Sequence, residues 1–150
     1  MGQSLVQNYV HLVFSTKHRQ PLILPTYENE RYHYLGGICK YRDCLPIKIG
    51  GYLDHVHILC KLSTKIALMK LMEEVKSNSS KWIKTKDELL KNFYWQNGYG
   101  AFSVSPHEVD KVIAYISNQH KHHSQKTFQQ EYRNILNKYK VEFDERYVWD

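Results

Sequence analysis

His55 and His57 are separated by one residue inside the mostly apolar run 53–59. In a β-strand, alternate side chains point to the same face, so both imidazoles would project together while Val56 and Ile58 enter the core. Imidazole nitrogens are common metal ligands, and two of them on one strand can bind the same ion. Such a pair also occurs as ordinary surface or structural histidines, so a metal site requires further ligands elsewhere in the chain.

A second pair, Tyr115 and Gln119, is four residues apart, which places both side chains on one face of a helix. They flank the apolar stripe of Val112, Ile113 and Ile116, so the helix can pack on the protein while it presents a phenol and an amide to a cleft. The plain alternative is a tyrosine at the edge of the core and a solvated glutamine. With the histidines, the amide oxygen would form a site that suits Mg²⁺ or Mn²⁺ bound to a phosphate. A nearby cation lowers the pKa of a phenol, which makes a tyrosine a usable nucleophile.

The elements that must position these residues alternate between strand and helix patterns. Strands are predicted over 6–15, 46–52 and 55–62, and residues 93–95 and 99–105 frame a fourth strand around the turn at 97–98. Helices are predicted over 27–40, 64–84, 106–121 and 127–138. The first six elements follow the β-α-β-β-α-β order of a ferredoxin-like α+β fold, an antiparallel sheet with helices on one face. C-terminal helices follow and carry the tyrosine. With no repeat or linker in the sequence, we predict one domain over residues 1–150.

The composition favours a polyanionic partner. Lysine and arginine number 21 against 15 acidic residues, which gives a net charge of +6. The N-terminus lacks the basic and apolar stretches of a signal peptide, and no apolar run approaches the roughly 20 residues that span a bilayer. The three cysteines form no CxxC pair, which is typical of reduced thiols. We therefore expect a cytoplasmic protein without a membrane segment.

Taken together, the motifs resemble those of the single-tyrosine HUH transposases of bacterial insertion sequences, the IS200-like family. The HUH motif (His, hydrophobic, His) corresponds to residues 55–57. The tyrosine motif corresponds to residues 115–119, in which Tyr115 matches the family's nucleophile and Gln119 its third metal ligand. The stretch 95–105 and the tail 139–149 are also similar to this family, so the resemblance covers nearly the whole chain.

This resemblance implies an enzyme that cleaves and rejoins single-stranded DNA at insertion-sequence ends. A Mg²⁺ or Mn²⁺ ion held by His55, His57 and Gln119 would polarise the scissile phosphate. Tyr115 would attack that phosphate and leave a 5′-phosphotyrosine and a free 3′-hydroxyl. The family also implies recognition of DNA hairpins and a homodimer whose subunits share active sites.

Other polar residues permit two interpretations each. Lys76 and Lys81, on the basic face of helix 64–84, are assigned as DNA phosphate contacts, with a solvated helix face as the alternative. Asp54 could orient a ligand histidine or simply belong to a turn.

Three further histidines follow the tyrosine helix. His120, His122 and His123 favour a solvated basic segment at a helix end over a second metal site.

Two other functions compete with the transposase interpretation. A catalytically silent relative would bind hairpin DNA or RNA without chemistry, although the presence of all four candidate site residues argues against decay. A nucleotide hydrolase of the histidine-triad type also uses alternating histidines on a strand. That motif requires a third histidine at position 59, where this chain has leucine.

Overall fold

A four-stranded antiparallel sheet forms the centre of the computed structural model, which describes residues 2–150. The strands are β1 (Tyr9–Ser15), β2 (Leu45–Gly51), β3 (His55–Lys61) and β4 (Gly100–Val104), in the spatial order β2-β3-β1-β4. Helix α1 (Glu28–Tyr41) connects β1 to β2, and α2 (Leu68–Ile83) lies between β3 and β4. This is the predicted β-α-β-β-α-β order, and the predicted α+β class is confirmed.

One face of the sheet is apolar, and α1 and α2 cover it. Alternation along β1 and β3 directs every second side chain to this side, where the apolar ones are buried in one core with residues of both helices. The core includes Val10, Leu12, Phe14, Val56, Ile58 and Cys60 from the strands, Leu35 and Cys39 from α1, and Leu71, Met72 and Val75 from α2. The sheet therefore meets its two connecting helices through continuous hydrophobic packing.

Three C-terminal helices pack on the opposite face: α3 (Val109–Ser117), α4 (Gln119–His122) and α5 (Phe128–Lys138). Phe128 and Tyr132 of α5 pack with Val13 and Phe102 of the sheet. The predicted helix 106–121 is divided, since its first turn is a 3₁₀ turn and Asn118 separates α3 from α4. These helices create a second layer whose packing against the strands includes polar side chains.

Two predicted element boundaries differ from the structure for local reasons. Helix α2 begins at Leu68 rather than at residue 64, because the Ser63 hydroxyl accepts a hydrogen bond from the N–H of Lys65 and forms a turn there. Strand β1 begins at Tyr9, where pairing with β3 starts. Among the helices of residues 2–150, none has both the length and the apolar character needed to cross a bilayer.

Candidate active site

Strand β3 places His55 and His57 on the face covered by the C-terminal helices, as the alternation predicted. Both side chains are fully buried, while Val56 and Ile58 between and after them enter the apolar core. His57 pairs in register with Gly50 of β2. The histidines thus lie beneath α3 and α5 rather than in the hydrophobic core.

Helix α3 lies very close to the sheet at Gly50. A Cβ atom there would be 2.8 Å from both the Cγ2 atom and the carbonyl oxygen of Ile116. Only glycine leaves room for the backbone of α3 at this distance. Because Tyr115 precedes Ile116, the same contact determines how near the phenol lies to His57, the partner of Gly50.

The four residues predicted for the site are brought together within one chain. The Nε2 atom of His55 lies 2.9 Å from the Oε1 atom of Gln119, which is itself buried. The rings of His57 and Tyr115 have centroids 5.6 Å apart. The pair predicted from helical spacing and the pair predicted from strand alternation therefore lie side by side in the fold. The sequence suggested that they meet but could not show where.

A residue that the sequence analysis missed, Glu131 of α5, lies at the centre of this group. Its Oε1 atom is 3.0 Å from His57 Nε2 and 3.3 Å from His55 Nε2. Its Oε2 atom accepts hydrogen bonds from the Tyr115 hydroxyl and, at 3.0 Å, from Gln119 Nε2. The signal was a carboxylate within the apolar side of helix 127–138, where an unpaired charge would be costly to bury.

Two additional histidines complete the buried polar group. The Nε2 atom of His11, on β1, lies 2.8 Å from Nδ1 of His57. His123, expected in a solvated segment, instead has a buried side chain, with Nε2 3.0 Å from Gln119 Oε1. His120 does remain exposed and contacts Glu28. The histidines after α3 thus have different environments, which composition could not distinguish.

Burial and hydrogen bonding shift the pKa values of this group in opposite directions. Burial lowers the pKa of His11 to about 3 and also lowers that of His57. Burial opposes protonation of His55 too, but bonds to Asp54 and Glu131 outweigh it and raise its pKa to about 9. Hydrogen bonds from His123, His55 and His57 outweigh the burial of Glu131 and hold its pKa well below the usual range.

The nucleophile candidate is protonated in this environment. Burial, followed by the charge of Glu131, raises the pKa of the Tyr115 phenol above its ordinary value. The phenol therefore remains a hydrogen-bond donor to Glu131 until a nearby positive charge lowers its pKa or a proton acceptor removes its proton.

The chemistry of the donor atoms fits a divalent cation. The Nδ1 atom of His55 lies 2.8 Å from the Asp54 carboxylate, the orienting contact anticipated for Asp54, and Nδ1 of His123 lies 2.6 Å from the carbonyl oxygen of Lys126. Both partners can only accept, so each Nδ1 carries a proton, while each Nε2 faces oxygen atoms of Gln119 and Glu131. Nitrogen and oxygen lone pairs that face each other require positive charge between them, supplied by protons on Nε2 or, where Nε2 is deprotonated, by a metal.

An open cleft of about 800 Å³ adjoins the buried group. Tyr115 and Glu131 form part of its wall, and Lys111, Lys126 and Lys138 also line it. These three ammonium groups outnumber the two carboxylates in the lining, Glu108 and Glu131, and an excess of positive charge beside a tyrosine favours phosphate. None of these three lysines was singled out from the sequence, because they come from separate segments: α3, the loop before α5, and α5.

The two lysines that were singled out lie elsewhere, on α2. The Nζ atom of Lys76 donates to the carbonyl oxygens of Gln96, Asn97 and Gly98 at 2.9, 3.0 and 2.5 Å, so its ammonium group is engaged within the protein. A phosphate would have to compete with these three carbonyls. Lys81 is exposed, and a DNA contact through it stays a prediction.

Comparisons with known proteins place the chain in a family. A family model described as "Transposase IS200 like" matches residues 4–119, which include His55, His57, Tyr115 and Gln119. The chain therefore belongs to the family of IS200-like transposases, and the resemblance noted in its sequence is confirmed at that level. A sequence comparison with curated proteins gives no match.

Two solved structures share the fold. One is a candidate transposase from Deinococcus radiodurans R1, with 19% identity and a TM-score of 0.62; the match covers 79% of this chain and 96% of that one. The other is a REP-associated tyrosine transposase bound to a REP hairpin, with 14% identity and a TM-score of 0.61 over 82% of this chain and 73% of that one. At these identities the similarity shows the fold alone.

Proposed function

We propose that this protein cleaves and rejoins single-stranded DNA at insertion-sequence ends through a covalent 5′-phosphotyrosine intermediate on Tyr115. One observation carries the proposal. The hydroxyl of Tyr115 donates a hydrogen bond to one carboxylate oxygen of Glu131, and the other oxygen of that carboxylate lies 3.0 Å from Nε2 of His57, one of the two buried histidines. A nucleophile beside a cation-binding group is what attack on a phosphodiester requires.

The metal would be held by His55, His57 and Gln119, and either Mg²⁺ or Mn²⁺ suits nitrogen and oxygen donors of this kind. When bound, it would polarise the scissile phosphate and stabilise the charge that develops on its oxygens. The protein contributes orientation, because Asp54 fixes one histidine and the fully buried setting excludes water from the ligand atoms.

Tyr115 performs the bond exchange. Its phenolic oxygen forms a bond to phosphorus, the bond from phosphorus to the 3′ oxygen of the preceding nucleotide breaks, and the phenolic proton is transferred so that a 3′-hydroxyl results. Attack by a second 3′-hydroxyl reverses these changes and releases the tyrosine. The phosphotyrosine linkage is itself a phosphodiester, so the energy of the broken DNA bond is conserved. No nucleotide cofactor is therefore needed.

DNA reaches the tyrosine through the open cleft. Its three lysines, Lys111, Lys126 and Lys138, would neutralise phosphates near the scissile bond. We propose Lys81 as a more distant phosphate contact and hairpin-bearing single strands as the substrate. The REP hairpin bound to the structural neighbour supports this choice of substrate for a protein of this fold.

We propose that residues 1–150 act as one catalytic domain in the cytoplasm. The family match ends at residue 119, but α5 lies beyond it and supplies Glu131 to the hydroxyl of Tyr115. This contact supports including the C-terminal helices in the proposed catalytic unit.

A homodimer is also proposed, from the family resemblance, with exchange of the tyrosine between subunits as the alternative to an active site within one chain. In this structure Tyr115 lies beside the histidines of its own chain. Mixing Tyr115→Phe with His57→Gln subunits tests the sharing. Covalent adduct formed by the mixture, but by neither variant alone, would demonstrate exchange of tyrosines between subunits; no adduct would assign both residues to one chain.

The central test uses labelled hairpin oligonucleotides from the flanks of the gene, incubated with Mg²⁺ or Mn²⁺. We expect a denaturant-resistant protein–DNA adduct that disappears with chelator. Tyr115→Phe should reduce adduct formation at least about 10³-fold, because a phenyl ring has no nucleophile. The matched control is Tyr147→Phe, which alters an exposed tyrosine in the tail.

The same assay separates the enzyme from the binding module. Tight hairpin binding without adduct from the wild-type protein would reject strand transfer and leave a silent hairpin-binding relative. An adduct that persists in Tyr115→Phe would reject this tyrosine as the nucleophile.

A further inference from the structure

The carboxylate of Glu131 connects two groups that the proposed function uses separately. Its Oε1 atom faces histidine nitrogens, at 3.0 Å from His57, 3.2 Å from His123 and 3.3 Å from His55. Its Oε2 atom accepts from the hydroxyl of Tyr115. One side chain therefore spans the distance between the cation-binding atoms and the nucleophile.

The distances from Oε1 of Glu131 to the histidine Nε2 atoms match those between neighbouring ligand atoms of one cation. Metal–ligand bonds of about 2.1 Å place neighbouring ligand atoms about 3.0 to 3.4 Å apart, for octahedral or tetrahedral arrangements. The ligand-capable atoms of His55, His57 and Glu131 all lie within 4.8 Å of one another, and all three residues are buried. A carboxylate also supplies the negative charge that two neutral imidazoles and an amide lack.

Glu131 lies outside the segment that identifies the family. The family match ends at Gln119, twelve residues earlier, and the sequence motifs assign no role to α5. Its position is nevertheless well supported: Phe128 and Tyr132, on the same helix, are buried against the sheet, and a Cβ at Gly100 would lie 2.7 Å from the Tyr132 hydroxyl. The helix that carries the carboxylate is therefore packed closely against β4.

We infer that Glu131 is a metal ligand through Oε1 and that, through Oε2, it holds the Tyr115 hydroxyl beside the ion. The inference deepens the proposed function and rests on it for the role of the tyrosine. A residue of this kind fixes the nucleophile relative to the phosphate that the ion would polarise, which is the positioning that accelerates in-line displacement. It is a catalytic residue because it touches the attacking hydroxyl.

Binding of Mn²⁺ alone, measured by the loss of the free-ion paramagnetic resonance signal, tests the ligand role without DNA. We expect Glu131→Gln to weaken Mn²⁺ binding at least about tenfold. Glu142→Gln, which changes an exposed glutamate of the tail, and Tyr115→Phe should stay within about threefold of wild type. Binding by Glu131→Gln as tight as in wild type, or no binding by the wild-type protein, overturns the inference.

A second measurement keeps the inference testable if Glu131→Gln does not fold. In wild-type protein with carbon-13 in its glutamate carboxyl groups, Zn²⁺ should shift one carboxyl resonance, and that resonance should be missing from the spectrum of Glu131→Asp. Absence of any shifted glutamate resonance would contradict a carboxylate ligand.

The contact between Glu131 and the Tyr115 hydroxyl is tested separately, by the rate of adduct formation at saturating metal. At saturating Mn²⁺, Glu131→Gln should still form adduct at least about tenfold more slowly than wild type, because the phenol is no longer held. Full recovery at saturating metal would limit Glu131 to metal binding and overturn the positioning role. Wild-type protein that binds Mn²⁺ through Glu131 yet forms no adduct would reject the proposed function and leave the ligand assignment intact.

Discussion

The two faces of the sheet are equally buried but serve different purposes. On one face, Leu12 and Ile58 have no exposed surface and pack into the core with α1 and α2. On the other, His55 and His57 also have no exposed surface, yet their ring nitrogens contact polar side chains, including Asp54, in addition to apolar neighbours such as Phe128. Burial alone therefore does not distinguish the apolar face under α1 and α2, here called the structural face, from the face that carries the histidines, here called the chemical face. The two differ in the hydrogen-bond partners of their buried side chains.

The difference follows from how each layer is attached to the strands. The connecting helices α1 and α2 meet an apolar surface, where stability depends on filled volume. The C-terminal layer meets imidazoles, and its contact depends on a close approach at Gly50 and on a carboxylate from α5. We therefore expect substitutions on the first face to affect stability and those on the second to affect activity.

The largest effect is expected for His57→Gln, on the chemical face. Loss of this imidazole removes a proposed metal ligand and one of the partners of Glu131, so adduct formation with labelled hairpin DNA should fall at least about 10³-fold, equivalent to about 4 kcal/mol. The unfolding free energy should change by a smaller amount, since glutamine retains a polar group of similar reach. Adduct formation within tenfold of wild type would remove His57 from the catalytic group.

Ile58→Ala, the next residue on the same strand, should show the reverse pattern. Ile58 is fully buried among apolar side chains, so its truncation should cost about 2 to 5 kcal/mol of unfolding free energy in urea denaturation. Adduct formation per folded molecule should stay within about threefold of wild type. A loss of activity larger than the folded fraction explains would show that the two faces are coupled.

Gly50→Ala tests the contact between β2 and α3. The added methyl group would meet backbone and side-chain atoms of Ile116 at 2.8 Å, so α3 must shift, at a cost of about 1 to 3 kcal/mol. Adduct formation should also fall, because Tyr115 moves with that helix. Stability and activity equal to wild type would contradict the close approach.

The matched control for this substitution is Gly37→Ala. Gly37 lies within α1 and has no neighbour within 4 Å of an added Cβ. Alanine there should stabilise the protein by about 0.5 to 1 kcal/mol through its helix propensity.

The smallest effect concerns Lys76, at the edge of the structural face. Burial lowers its pKa from 10.5 to about 8. Between these values the unfolded chain retains a proton that the folded protein loses, so the contribution of Lys76 to stability rises with pH across that window. Relative to Lys76→Met, wild-type protein should gain about 1 to 2 kcal/mol of unfolding free energy between pH 7.5 and 10, less than the full shift because the side chain is partly exposed.

Lys81→Met serves as the control for that measurement, since Lys81 is exposed on the same helix. Its difference from wild type should remain constant over the same pH range. A constant difference for Lys76→Met as well would show that its ammonium group titrates as in water.

Local periodicity made the main features of this protein predictable. Alternation in a strand required His55 and His57 to share a face opposite Val56, whatever covered them, and helical spacing placed Tyr115 and Gln119 on one side. These are properties of the backbone within a few residues. The order of strands and helices likewise determined the ferredoxin-like sheet, because hairpins and crossovers of these lengths permit few topologies.

Tertiary structure alone decided which distant groups complete the site. Glu131 is 74 residues from His57 and His11 is 46 residues from it, and no periodicity relates such positions. Tertiary packing also decided the contacts of Lys76. The helix pattern placed this residue on a basic face, but its ammonium group donates to carbonyl oxygens of the loop before β4. The reason is physical: local sequence sets the direction of a side chain relative to its own backbone, while the partner it meets depends on how separate elements pack.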